Sequence, residues 1–228
     1  MGKPSHVAAL DPVADLQRRL ARHRTSVPAC VRTWWRDHEL GHHPATVGKR
    51  IALALIEQRS GDAKLAGIVV LEQQLADQLR TADLAAFARL FEAGDIAELA
   101  LADAFGRRVL ARVLDRGTDA AHGLVRWGAA DTCAQRRAAC LGFATHAGLV
   151  GPALATCATV VWSHERADQQ AVALVLRAFA AAEPARVEAF FRRHARLMTR
   201  EAARTAVAPL TNRGELLAHH KRATTLRR

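Results

Sequence analysis

Asp95–Phe143 reads DIAELALADAFGRRVLARVLDRGTDAAHGLVRWGAADTCAQRRAACLGF. Its apolar residues return every three or four positions, which is the period of amphipathic helices rather than the alternation of strands. The pattern predicts helices over 95–115, 119–129 and 131–148, with Gly117 as a stop and Asp131 as an N-cap. The third helix poses a problem. Cys133, Ala138, Cys140 and Leu141 form an apolar face, yet Arg136 and Arg137 stand together in its middle. A half-buried helix carries such charge only if another element supplies carboxylates, or if one side faces a groove that receives a polyanion.

The same punctuation continues in both directions. Helices are predicted over 46–60, 62–79, 83–92, 152–162, 165–181, 184–197 and 199–208. Asp62 and Thr199 serve as further caps, Pro152 and Pro184 as first-turn residues, and Gly61, Gly94 and Gly148 as ends. Consecutive pairs recur at roughly 35 residues, near the period of HEAT-type repeats, and no pair buries its apolar face alone. The expected fold is all-α, an α-α superhelix (solenoid) of HEAT-like helical repeats forming one elongated domain, although an irregular helical bundle fits the periodicity equally well. The second helices, 95–115, 131–148 and 165–181, would line the concave side. Residues 1–25 read as a loose basic N-terminal arm, with a basic turn of helix allowed at its end, 26–210 as the repeat domain and 211–228 as a basic C-terminal tail.

Composition narrows the function classes. With 50% hydrophobic and 24% charged residues the chain is not a disordered polyampholyte. A net charge of +11 and a pI near 11 point to a polyanionic partner, nucleic acid or an anionic membrane surface. A GC-rich coding sequence would also enrich arginine. Cys30, Cys133, Cys140 and Cys157 are too scattered for a disulfide framework or a zinc knuckle, and read as reduced residues of an intracellular protein. No apolar run reaches the ~18 residues of a membrane span, so no membrane partner is expected. HELGH at His38–His42 fits the H-E-x-x-H zinc pattern, but Gly41 and Pro44 break the helix that zinc geometry needs. No metal and no cofactor are expected. Trp34, Trp35, Trp127 and Trp162 read as packing residues.

Three separated segments resemble the DNA alkylation repair family of HEAT-like repeat proteins. LALADAFGRRVL supplies Asp103, Phe105, Val109 and Leu110; LVRWGAADTCAQRRAACL supplies Trp127, Arg136 and Arg137; RADQQAVALVLRAFAAAEPARVEAFF supplies Asp168, Ala171, Leu176, Arg177, Pro184, Val187 and Phe190. Order and spacing hold over roughly residues 45–208. The departures fall at the cleft: Leu99 and Leu174 stand where the family carries tryptophans, and Gln170 where a lysine is usual.

The resemblance implies a DNA-binding protein of alkylation damage repair or recognition, an alkylpurine DNA glycosylase whose base excision is weakened, redirected or lost. Asp103 is the candidate catalytic carboxylate, and Arg107, Arg136, Arg137 and Arg177 are candidate DNA-binding residues. The expected partner is double-stranded DNA, alkylated or not, bound by a monomer in the bacterial cytoplasm or nucleoid. Other readings stay open. Asp103 can pair with Arg107 one turn away, the arginines can form inter-repeat salt bridges that include Asp103 itself, and the repeats can act as a scaffold for an acidic protein partner.

Overall fold

The computed structural model describes residues 11–22 and 25–225, and among them the chain is all-α. It is an array of helical repeats, the solenoid class expected from the periodicity. The remainder of the expected terminal arms, 1–10, 23–24 and 226–228, lies outside the described residues. Two compact units divide at Gln78, a boundary that falls inside the stretch read as one repeat domain.

In the first unit, α1 (Pro12–Arg22), α2 (Val27–Asp37), α3 (Ala45–Ile56) and α4 (Gly61–Val69) pack around Leu16, Trp34, Leu55 and Ile68, all fully buried. Residues 12–22 therefore form an ordered helix where the sequence read as a basic arm. Leu16 is its one buried anchor, and the indole of Trp34 donates to the carbonyl of Pro12 at 3.1 Å. Gly67 lets α4 lie directly on α3, because a Cβ there would stand 2.5 Å from the carbonyl oxygen of Ala52. HELGH does not form a helix face. The α2 helix ends at Asp37, Glu39 adopts φ 50°, and Leu40–His42 is a tight 3-10 turn. His38 is instead 2.9 Å from Asp15, and this hydrogen bond, with Arg19 beside it, holds the Asp15 carboxyl below its usual range.

The second unit begins with α5 (Leu84–Glu92), whose chain reverses at Gly94, φ 80°, while the Asp95 and Ile96 N–H groups close on the carbonyl of Leu90. Then α6 (Leu99–Ala104) passes through a π-turn, Phe105–Leu110, into α7 (Ala111–Leu114) without a break. Next come α8 (Thr118–Trp127), α9 (Cys133–Phe143), α10 (Val150–Val160), α11 (Arg166–Phe179), α12 (Pro184–His194), α13 (Arg200–Val207) and α14 (Arg213–Thr225). The caps differ in detail from expectation. Thr132, not Asp131, caps α9 by accepting from the N–H of Gln135 at 3.3 Å, whereas Thr199 caps α13 as predicted.

Neighbouring contacts order this unit into a row, α6/α7 beside α9, α9 beside α11 and α11 beside α13, backed by α8 and α10. Edge-to-face packing of Phe87 and Phe91 on Phe105, and of Phe91 on Trp127, fills the space between α5, the π-turn and α8. Trp127 is thus a packing residue, as read, but Trp162 is 58% exposed and is not. The α14 helix replaces the expected tail: Leu216 and His220, one turn apart, are its only buried residues, and His220 bonds the carbonyl of Met198 at 3.0 Å.

Candidate functional site

Close approach of two helices builds the site. Gly106, in the π-turn, has no side chain, and a Cβ there would stand 2.5 Å from the carbonyl oxygen of Ala138 on α9. The π-turn widens the helix one residue after Ala104, a distortion that often marks functional positions. With the backbones in contact, Asp103 on α6 comes within reach of α9. Arg137 Nε donates to one carboxylate oxygen of Asp103 and Nη2 to the other at 2.9 Å, a fork-on-fork pair. Arg137 Nη1 donates to the carbonyl of Ala167 on α11 at 2.8 Å, so one side chain ties three helices.

The pair is asymmetric in exposure. The Arg137 side chain is 8% exposed and that of Asp103 29%, so the guanidinium supports the carboxylate from within while the carboxylate meets solvent. The hydrogen bond to Asp103 raises the Arg137 pKa against the opposing effect of burial. Arg107, one turn from Asp103, is exposed and is not its partner.

Arg136, one residue back, is turned onto Asp168 of α11. Its Nε and Nη2 donate to the same carboxylate oxygen at 2.9 and 2.6 Å, and Nη1 reaches the carbonyls of Ala130 and Asp131 at 2.8 Å. Asp168 is fully buried and also accepts from the thiol of Cys133 at 3.4 Å. Burial works to lower the Arg136 pKa, and the bond and charge of Asp168 outweigh it. Burial, then the charge and hydrogen bond of Asp168, push the Cys133 thiol up to about 11. A thiol so held is a poor nucleophile near neutrality.

Leu99, 43% exposed, stands one turn before Asp103 on α6, and α11 carries Gln170, Leu174 and Arg177 at the spacing of one helix face. Arg107, Arg177 and, on α13, Arg204 are exposed and have no ion-pair partner among the described residues. The structure thus brings Asp103, Arg136 and Arg137 together on one three-helix brace and leaves Arg107 and Arg177 outside it. Asp168 is the member that sequence reading did not assign a role. An acidic residue at the third position of a helix reads as an ordinary first-turn carboxylate.

Fold and site together define a helical-repeat protein with a braced, partly exposed carboxylate and with arginines that have no ion-pair partner among the described residues. Its family is shown by sequence as well: the chain belongs to the DNA alkylation repair enzyme family, whose model matches residues 24–210. No curated protein matches the chain.

Proposed function

We propose that the chain binds double-stranded DNA along the row α6, α9, α11 and α13 and presents Asp103 to an alkylated nucleotide, as a monomer with weakened base excision. The observation that carries this reading is Asp103, oriented through both oxygens by a buried arginine yet open to solvent, on a row whose Arg107, Arg177 and Arg204 have no ion-pair partner among the described residues. Loss of a cationic base leaves oxocarbenium character on the sugar, and a fixed carboxylate stabilises charge where it develops. Arg137 acts as the positioning residue for that carboxylate. Arg107, Arg177 and Arg204 meet phosphates, and Arg136 belongs to the scaffold. Leu99 and Leu174 supply no aromatic face, so each forgoes the cation–π attraction of about 0.5–2 kcal/mol that a tryptophan would add.

Duplex-DNA affinity measured against salt tests the reading. Log affinity should fall steeply with log salt, and Arg107→Ala and Arg177→Ala should each make the slope shallower by about 1. Undetectable binding at low salt, or a slope untouched by both substitutions, overturns it. Capture of an acidic protein that survives nuclease treatment would favour the scaffold reading instead.

A further inference from the structure

The last two helices, α13 and α14, pack against each other, and α14 is pinned by adjacent histidines. His219 donates from Nε2 to the carbonyl of Arg192, in the last turn of α12, at 3.1 Å, and His220 does so to the carbonyl of Met198, just before α13, at 3.0 Å. A carbonyl only accepts, so both Nε2 atoms carry the proton. These bonds, with the fully buried Leu216, fix α14 in place. Between it and α13 lies a recess of about 650 Å³.

The recess is cationic from both helices. Arg200 and Arg204, one turn apart, line it from α13 and Lys221 from α14, and no carboxylate does so among the described residues. Each of the two helices has one acidic residue, and both are turned to other cations. Glu201 meets Arg166 of α11 at 3.0 Å, and Glu215 lies 4.0 Å from Arg192 of α12. Arg200, Arg204 and Lys221 are exposed and have no ion-pair partner among the described residues. Like charges so gathered repel, and two cations at i and i+4 destabilise their helix. An anion in the recess removes that cost.

Charge also selects the anion. A phosphodiester brings one negative charge, whereas a phosphate monoester brings about 1.5 to 2 near pH 7 with three acceptor oxygens. Three cations match the monoester. Leu217 and Ala218, one turn before Lys221 on α14, give the recess an apolar side for an organic group. The α14 helix lies beyond residues 24–210, the span that the family model matches, so family membership does not account for this recess. We infer that it is a binding site for a phosphate monoester, whose phosphate meets Arg200, Arg204 and Lys221 and whose organic group lies on Leu217 and Ala218. Arg204 is shared with the proposed DNA row, but a free monoester tests the recess without DNA.

The ¹⁵N-labelled full chain is titrated with phenyl phosphate and, in parallel, with the diester methyl phenyl phosphate. Phenyl phosphate should shift the backbone amides of Leu217, Ala218 and Lys221 saturably, with an affinity about tenfold or more above that of the diester. Arg200→Gln with Lys221→Gln should remove that preference. Arg213→Gln with Arg222→Gln, which deletes the same charge at exposed positions outside the recess, should leave it intact. A 5′-phosphorylated oligonucleotide compared with its 5′-hydroxyl form separates two sources of the group. Tighter binding of the phosphorylated strand, lost in the Arg200→Gln, Lys221→Gln variant, assigns the recess to a nucleic-acid end, and equal binding of the two strands assigns it to a free monoester. Equal affinity for the two esters, shifts that do not saturate, or equal losses in the two double variants would each overturn the proposal.

Discussion

Arg136 and Arg137 are neighbours on α9, and each forks onto a carboxylate of an adjacent helix, but the two pairs are finished differently. Asp168 is sealed: its side chain is 0% exposed, and that of Arg136 is 16%. In the other pair the order is reversed, with Arg137 at 8% and Asp103 at 29%. A sealed carboxylate can only hold the repeats together. An open one, held from behind by a buried guanidinium, can also face a ligand. The difference separates a structural brace from a site even though both use the same two residue types on the same helix.

The largest expected effect lies on the sealed side. Asp168→Ala strands the Arg136 guanidinium, which Ala130 and Asp131 carbonyls alone do not neutralise, and should cost about 3–5 kcal/mol in urea unfolding. Asp103→Ala strands the Arg137 guanidinium on the carbonyl of Ala167, but the open position of Asp103 lets water take the place of the lost carboxylate, so the cost should be smaller. Equal losses for the two variants would erase the distinction.

Next in size is the effect on chemistry. In base release from DNA carrying 7-methylguanine or 3-methyladenine, Asp103→Asn should lower the rate by about 10²-fold or more, equivalent to about 2.7 kcal/mol of barrier, with duplex affinity little changed. A wild type that binds DNA and releases no base would leave recognition without excision. A wild type that excises, with Asp103→Asn unaffected, would place the chemistry elsewhere.

The smallest effect concerns Cys133, which shares Asp168 with Arg136. With its thiol pushed up to about 11, iodoacetamide at pH 8 should modify it about a hundredfold more slowly than an ordinary thiol, as read by peptide mass spectrometry. Its folded value lies above the unfolded one, so its contribution to stability is complete below pH 9 and is lost as pH rises toward 11. Asp168→Asn should speed the modification only in part, because burial is the larger cause of the shift.

The period of apolar residues, the glycine and proline punctuation and the Thr199 cap are local signals, and the helices from α3 to α13 follow them closely. Sparse anchoring hid α1 and α14, while α2, for which the sequence predicts no helix either, buries Cys30, Val31, Trp34 and Trp35. In α1 only Leu16 is fully buried, and α14 rests on Leu216 and His220, too few for a stripe to stand out from basic sequence. Sequence alone also marked Asp103 and the arginine pair as the residues of interest. It could not assign partners. Arg137 meets a residue 34 positions away and Arg136 one 32 positions away, while the local i+4 pairing of Asp103 with Arg107 is not made. Only the tertiary structure decided this, for a physical reason: neighbouring helix positions point about 100° apart, and the bare backbone of Gly106 lets α9 approach until that angle sends one arginine to α6 and the other to α11.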